Sequence, residues 1–339
     1  MSTFNPNDPG GADSNIFGLP YTTKEADLVL LPIPWEATVS YGAGTAKGPA
    51  AIMEASKQID LFHPLINEMW NKKMAMDDIP VAISRLSAAT RKKAIKIIDS
   101  ILAGKPVNKK AQDEVNVACE KMIAEVGKQA EKFIQSKKAV ANVGGDHSTT
   151  LGLLRTLAKN NSFGILQIDA HCDLRKAFEG FEYSHASIMY NALKETNIRS
   201  LTQVGIRDYC DEEVQYIKNS KNRVKVFFDR DNQYEKIKGE NWAAICKRII
   251  ATLPQNVFIS FDIDGLTPDH CPNTGTPVPG GLTFAEASYL IEQTALQRNI
   301  ISFDLNEVSP REDEWDANVG ARVLFQLCCA YFISKERKK

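Results

Sequence analysis

The chain has few histidines, no excess of either charge and no long uninterrupted apolar run. Only five histidines stand among its 339 residues. Forty-one basic residues face 42 acidic ones, and the resulting net charge of −1 argues against nucleic acid or anionic lipid as a partner. The longest apolar stretch near the end, "VLFQLCCAYFI", is interrupted by Gln326 and is too short to span a bilayer. We therefore expect a globular protein that binds neither nucleic acid nor membrane.

The seven cysteines are odd in number and include no CxxC pair. We interpret them as reduced, mostly buried thiols of a cytoplasmic protein. The first twenty residues are polar and rich in Asn, Pro and Gly, which is typical of neither a signal peptide nor a transit sequence. Together these features predict a cytoplasmic location.

Short β-branched runs alternate with longer helical stretches along most of the chain. Predicted strands cover 27–33, 139–144, 163–170, 201–206, 224–228, 257–264 and 300–307. Predicted helices cover 48–58, 85–102, 111–136, 149–159, 184–195, 211–219, 241–252, 283–298 and 318–334. Several strands are continuous apolar runs, which is typical of parallel strands buried on both faces. The pattern predicts an α/β fold, with a parallel sheet covered by helices on both sides.

Residues 64–115 depart from this alternation, because the segment has no convincing strand. We interpret it as a helical insertion on the surface of the main domain. No long flexible linker separates it from the rest of the chain. Residues 1–339 are therefore predicted to form a single domain, with residues 1–25 as an N-terminal arm.

Polar side chains gather where four of the predicted strands end. The motifs are "GGDHS" (144–148), "IDAHCD" (168–173), "DID" (262–264) and "DLNE" (304–307). Open α/β sheets bind ligands beyond the carboxyl ends of their strands. We therefore expect these four segments, which are distant in sequence, to meet at one edge of one sheet.

Six of these side chains are candidate metal ligands: His147, Asp169, His171, Asp173, Asp262 and Asp264. Residues two apart in an extended chain point the same way, so the members of each motif can share a face. Four carboxylates cannot all be ionised at such close range without cations, and two divalent ions about 3.5–4 Å apart would balance them. Oxygen-rich ligands without thiolate suit Mn²⁺, with Ni²⁺ as an alternative. A salt-bridge network could explain "DAHCD" alone, and "GGDH" alone is more often a turn with a capping Asp, but the joint occurrence of the motifs favours a metal site.

The three motifs "GGDHS", "DAHCD" and "SFDIDGLTPDHCPNTGTPVPGGLT" resemble the signatures of the ureohydrolase family. That family includes arginases, agmatinases and formimidoylglutamases. The segments "TVSYGAGTAKGPAAI" and "SFDLNEVSP" are also similar to family segments, and the resemblance covers residues 26–58 and 138–332. It implies an arginase-like three-layer α/β/α fold and a homo-oligomer, a trimer or hexamer. It also implies two Mn²⁺ ions and a bridging hydroxide, which attacks a guanidinium or amidine carbon and releases urea or a related product.

The resemblance also implies a role for each site residue. One metal would be held by His147 and Asp173, the other by His171 and Asp264, and both would be bridged by Asp169 and Asp262. Asp173 would in addition orient the hydroxide, and Glu307 would pair with the cationic group of the substrate. His185, in "FEYSHASI", would carry protons at the mouth of the site, a task that suits its unperturbed pKa.

The substrate is the part that the sequence leaves open. Where arginases carry a motif rich in Asn and Gly, this chain has "EGFEYSHAS", which is similar to the agmatinase pattern and favours a substrate without an α-carboxylate. We therefore expect a small cationic guanidino substrate. Asn306 and Asp316 depart from the usual pattern nearby. The alternatives are guanidine or another guanidino acid as substrate, an arginase or a formimidoylglutamase. A metal-binding regulator without catalytic activity is the alternative outside enzymes.

Overall fold

A single all-parallel sheet forms the centre of the molecule. The computed structural model describes residues 4–8 and 10–337. Their strands are β1 Leu28–Ile33, β2 Met74–Met76, β3 Ala139–Gly144, β4 Phe163–Ile168, β5 Ile198–Val204, β6 Val224–Phe227, β7 Asn256–Asp262 and β8 Asn299–Asn306. Their order in the sheet is β2-β1-β3-β8-β7-β4-β5-β6, and every pairing is parallel.

Helices cover both faces of this sheet. They are α1 Gly48–Ser56, α2 Val81–Leu102, α3 Lys109–Gln135, α4 Leu151–Ala158, α5 Ile188–Ala192, α6 Asp211–Asn219, α7 Asp229–Ile237, α8 Trp242–Ala251, α9 Phe284–Gln297 and α10 Trp315–Glu336. Alternate residues of β1 enter two separate apolar cores: Leu28 and Leu30 pack with α1, α8, α9 and α10, and Val29 and Leu31 with α2 to α5. The predicted three-layer α/β/α fold is confirmed.

The segment 64–115 is not purely helical, and the prediction that it has no strand is wrong. β2 lies inside it and pairs with β1 at the edge of the central sheet, with Met74 opposite Leu28. A run of three residues is too short for a periodic pattern to reveal it. The helices α2 and α3 of this segment belong to the layer on one face of the sheet. That the segment is an insertion stays a prediction.

α10 is longer than the predicted helix and lies in the core. Among the described helices it is the one that is long and apolar enough to cross a membrane by length and composition. Within the molecule, 78% of its most apolar window is buried. It packs against α1, α9 and β8, as a core helix of an α/β domain does. The apolar stretch near the end of the chain is therefore part of this buried helix.

The four central strands are neighbours in the order β3-β8-β7-β4. The four polar motifs follow these same strands at their carboxyl ends. Because all strands are parallel, the motifs reach the same edge of the sheet. The fold thus brings together the side chains that the sequence singled out.

Candidate metal centre

The six candidate ligands lie together at the carboxyl edge of the sheet. Two groups of three offer ligand atoms that all lie within 4.8 Å of one another. The groups are His147, Asp169 and Asp262, and Asp169, His171 and Asp264. They share Asp169. Asp173 belongs to neither group, but its Oδ2 lies 3.1 Å from Nδ1 of His147.

His147 is buried and faces three carboxylates. Its Nδ1 lies 3.1 Å from Asp169 Oδ2, 3.1 Å from Asp173 Oδ2 and 3.3 Å from Asp262 Oδ2. Among the described residues, no contact at this nitrogen has the geometry of a hydrogen bond. A buried polar nitrogen without a partner is rare in native proteins. The donor set of one imidazole nitrogen and three carboxylate oxygens fits a divalent cation.

His171 forms the second part of the cluster. Its Nδ1 lies 3.1 Å from Asp264 Oδ2 and 3.6 Å from Asp169 Oδ1. Asp169 thus presents one carboxylate oxygen to each histidine, as a carboxylate that bridges two ions would. Asp262 lies beside His147 and Asp169 in the first group. That it bridges both ions, as the resemblance implies, stays a prediction.

Turns, rather than an extended chain, bring the ligands of each motif together. β4 ends at Ile168, and Asp173 has a left-handed backbone with φ +55°. Asp262 is the last residue of β7, and the next three residues form a 3₁₀ turn in which Asp264 N donates to Asp262 Oδ1 at 2.9 Å. The expectation that alternation along a strand aligns these ligands is therefore wrong, since the strands end too early.

Hydrogen bonds from neighbouring groups orient the carboxylates. Asp169 accepts from His171 N at 2.6 Å and from Gln167 Nε2 at 2.7 Å, one bond on each oxygen. Asp264 Oδ1 accepts from Ala170 N at 3.0 Å, which leaves Oδ2 toward His171. Such supporting bonds keep ligands in place before a metal binds.

His147 is oriented from its other side by Ser260, which the sequence did not single out, and through it by Asp304, which the sequence marked only as part of "DLNE". Its Nε2 lies 2.8 Å from Ser260 Oγ, which is 3.1 Å from both carboxylate oxygens of Asp304. Ser260 stands two positions before Asp262 in the same strand, and the pleat places both on one face. This spacing was the sequence feature that could have identified it.

The pKa values reflect the crowded charge. Burial lowers the pKa of both histidines, but the carboxylates outweigh it and hold that of His147 well above 6.5 and that of His171 at about 12. Burial raises the pKa of Asp173 to about 7 and that of Asp262 well above its usual range. For Asp169 the two histidines outweigh burial and lower the pKa. Without metal, the histidines therefore act as the counter-cations of the cluster.

His185 lies at the wall of a cavity of about 140 Å³ beside the cluster. The cavity is lined by Ser40, His171, Asp173, Arg175, Phe178, His185, Ala186, Asp208, Glu213 and Thr276. Burial, followed by the charges of His171 and His147, lowers the pKa of His185 to about 3. The location agrees with the predicted role at the mouth of the site, but the expected unperturbed pKa is wrong.

Glu307 is buried, and its carboxylate is only half satisfied. Oε1 accepts from His147 N at 2.9 Å, whereas Oε2 has no hydrogen-bond partner within the described part of the chain. Its backbone is left-handed, with φ +65°, a conformation that costs a non-glycine residue about 1–3 kcal/mol. Gly275 covers the carboxylate so closely that a Cβ there would lie 2.6 Å from Oε2. A free carboxylate oxygen held in this way is a ready acceptor for a cation.

The two departures from the family pattern are explained by their contacts. Asn306 is buried and donates to Asp304 Oδ1 at 2.6 Å, and accepts from Thr149 Oγ1 at 3.0 Å. Asp316, at the start of α10, accepts from Asn273 N and Asn273 Nδ2, both at 2.9 Å. Both residues are therefore satisfied buried groups that support the loops of the site.

Known proteins are similar to this chain over nearly its whole length. The family model of the arginase family matches residues 26–330. The N(1)-aminopropylagmatine ureohydrolase of Synechocystis sp. is 30% identical over 320 residues, 93% of this chain and 92% of that protein. The agmatinase of Escherichia coli O1:K1 / APEC is 30% identical over 347 residues, 98% and 97% of the two chains. The agmatine ureohydrolase structure of Thermoplasma volcanium has a TM-score of 0.73 at 21% identity, covers 97% and 98% of the two chains, and shows the same fold.

Proposed function

The chain belongs to the arginase family, and we propose that it is an agmatinase-like ureohydrolase that releases urea from a small cationic guanidino substrate. Membership, with relatives about 30% identical over most of the chain, makes it a hydrolase of C–N bonds in linear amidines. One observation carries the mechanism. Asp169 presents one carboxylate oxygen to each of two histidines, and each histidine has further carboxylates beside it.

Two Mn²⁺ ions are the proposed cofactors, with Ni²⁺ as the alternative. The residues that would hold them are His147, Asp169, His171, Asp173, Asp262 and Asp264. When bound, the ions would lower the pKa of a water molecule and supply hydroxide as a nucleophile at neutral pH. A strong nucleophile is needed because a guanidinium carbon is a poor electrophile.

Glu307 and His185 are the proposed residues for substrate binding and for proton transfer. The free Oε2 of Glu307 is the proposed acceptor for the planar guanidinium group of the substrate. With a pKa of about 3, His185 is neutral near pH 7, so its ring has one donor and one acceptor nitrogen. Such a ring can pass a proton from solvent to the leaving amine.

The charges at the cleft favour a second cationic group on the substrate. The side chain of Asp208 is 68% exposed, lies 4.0 Å from His171 Nε2 and accepts no hydrogen bond from the described residues. Arg175 is the one arginine or lysine among the lining residues, but it stacks over the Phe178 ring at 5.1 Å and lies 4.0 Å from Glu213. Asp208 is therefore the exposed acid that can accept a distal ammonium group. Agmatine and N(1)-aminopropylagmatine, named for the relatives, both carry such a second amine.

Urea release from substrates that differ only at the distal end tests this function. Agmatine carries a distal ammonium, 4-guanidinobutyrate a carboxylate and n-butylguanidine a methyl group. We expect agmatine to have the highest kcat/KM with Mn²⁺, and Asp208→Asn to reduce its advantage over n-butylguanidine about tenfold, which is 1.4 kcal/mol. Glu212→Gln, which removes an exposed acid outside the cavity, is the control and should leave the ratio unchanged.

The same assay separates the alternatives. Preference for 4-guanidinobutyrate would favour a guanidino-acid hydrolase in which Arg175 binds the carboxylate, and turnover of guanidine alone would indicate a guanidine hydrolase. Tight metal binding with no turnover of any guanidino compound would favour the non-catalytic regulator. We also propose a cytoplasmic homo-oligomer, a trimer or hexamer, which size-exclusion chromatography with light scattering can test.

A further inference from the structure

Arg207 makes an unusually large number of hydrogen bonds beside the candidate metal centre. It follows β5 in "VGIRD". Its guanidinium donates six hydrogen bonds to backbone carbonyls of three segments, with acceptors Gly205 (3.0 Å), Asp264 (2.7 Å), Leu266 (3.1 Å), Val278 (3.2 and 2.9 Å) and Pro279 (3.1 Å). Asp264 is one of the candidate ligands. One side chain therefore ties together the end of β5, the loop after β7 and the loop before α9.

The backbone of Arg207 holds the other ligand loop. Its N–H donates to Ala170 O at 2.8 Å, and Ala170 N donates to Asp264 Oδ1 at 3.0 Å. Ala170 stands between Asp169 and His171. Backbone and side chain of one residue thus link the two loops whose ligands form the group of Asp169, His171 and Asp264.

A pair of glycines makes room for this guanidinium. Gly280 and Gly281 have φ of +93° and +105°. A Cβ at Gly281 would lie 2.9 Å from the carbonyl oxygens of Gly265 and Leu266 and 3.0 Å from Arg207 Cζ. One at Gly280 would lie 2.8 Å from Asp229 Oδ2 and 3.3 Å from Arg207 Cδ. Asp229, at the start of α7, accepts from Gly281 N at 3.1 Å and holds this turn in place. The surroundings are thus shaped around the arginine as well as bonded to it.

We propose that Arg207 is a positioning residue, which holds the loops of His171 and Asp264 in the geometry that the second metal ion requires. This inference rests on the proposed function. A lysine could keep the positive charge but not the fork of five N–H donors, and one ammonium cannot reach three segments. Loss of the fork should therefore weaken the second ion and affect the ion beside His147 much less.

Manganese titration of purified protein tests this role without any activity assay. Free Mn²⁺ is measured by its electron paramagnetic resonance signal while the ion is added to wild type and to Arg207→Lys. We expect two bound ions in wild type, and a loss of about 10-fold or more in the affinity of one ion in the variant, as for other groups that orient ligands. The affinity of the other ion should change by less than about threefold. The weakened ion should be the one that His171→Ala also removes.

Arg298→Lys is the matched control. Arg298 also donates to three backbone carbonyls, those of Leu253, Gln297 and Ile250, at the opposite end of α9. This variant should bind both ions like wild type, even if its melting temperature falls. Arg207→Gln, which keeps an amide donor without the charge, serves as a second variant.

The outcomes distinguish failure of the positioning role of Arg207 from failure of the proposed metal centre. Unchanged binding of both ions in Arg207→Lys would overturn the positioning role, and so would an equal loss at both sites. Failure of both Arg207 variants to fold, with Arg298→Lys folded, would make Arg207 a residue of the fold and not of the site. Wild type that binds fewer than two ions would instead contradict the proposed metal centre, and this role with it.

Discussion

At the scale of single residues, His147 shows how a buried ligand is held from both sides. Its Nδ1 faces three carboxylates, and its Nε2 contacts Ser260, which is bonded to Asp304. We predict that Ser260→Ala lowers the Mn²⁺ affinity about 10-fold or more, because the ring loses the partner that fixes its orientation. Titration with Mn²⁺ measures this. Ser302→Ala removes a buried serine of β8 whose hydroxyl donates to Val140 O, away from His147; an equal loss there would contradict the specific role of Ser260.

His185 makes a prediction about pH. Its pKa is lowered from 6.5 to about 3, mainly by burial, so the unfolded chain binds an extra proton between these values. The free energy of unfolding contributed by His185 is therefore fully present above pH 6.5 and is lost as the pH falls toward 3. In metal-free protein, His185→Gln should lose less stability than wild type between pH 7.5 and 5. Urea unfolding at the two pH values measures this, and identical losses would contradict the lowered pKa.

The candidate metal ligands could be predicted from the sequence, whereas the residues that hold these ligands in place could not. His147, Asp169 and Asp262 were predictable because acids and imidazoles at buried strand ends need a partner. Arg207 and Gln167 were not, since their importance comes from backbone carbonyls and carboxylates that only the folded chain brings near. A single arginine after a strand carries no pattern of its own.

At the scale of elements, the loop before α9 connects the substrate side of the site to the core. Asp316 of α10 holds Asn273, and Gly275 O accepts from Gly42 N at 2.9 Å. Gly275 itself lies against Glu307. The loop is thus held at Asn273 and at Gly275, and a Cβ added at Gly275 would meet the carboxylate of Glu307.

Gly275→Ala tests this arrangement. Its Cβ would lie 2.6 Å from Glu307 Oε2, and displacement of a substrate-binding group by about 1 Å can cost about 10²-fold in rate. We expect kcat/KM to fall by about that factor, while both Mn²⁺ ions still bind. Gly11→Ala, where a Cβ would meet no atom of the described residues within 4 Å, should behave like wild type. Normal kinetics of Gly275→Ala would contradict the role of Glu307.

Elements with a clear apolar pattern were predictable from the sequence, and elements without one were not. Strands with continuous apolar runs, such as β3, and helices such as α6 lie where their patterns placed them. β2 has only three residues, and α7 is polar, with a mostly exposed surface, so neither has a usable period. β2 nevertheless forms one edge of the sheet, and Asp229 of α7 holds the loop beside Arg207 by its bond to Gly281 N.

At the scale of the whole molecule, the two apolar cores and the polar site are separate parts of one sheet. The cores occupy the two faces of the sheet, and the charged cluster occupies its carboxyl edge. All seven cysteines are free, and six are buried, so no disulfide contributes to stability. The apolar layers must therefore supply most of the stability of the fold. The charged side chains at the edge of the sheet reduce that stability until cations compensate the carboxylates.

Metal removal should consequently destabilise the entire chain. An ion that binds only the native state adds about 2.7 kcal/mol to the free energy of unfolding at 100 times its Kd. We expect the melting temperature to fall in EDTA, and to rise with Mn²⁺ concentration with a slope that corresponds to two ions. In Asp264→Ala the slope should correspond to one ion and turnover should be abolished, because the group around His171 loses a ligand. Differential scanning fluorimetry across a Mn²⁺ series measures both slopes, and a melting temperature independent of Mn²⁺ would contradict the metal centre.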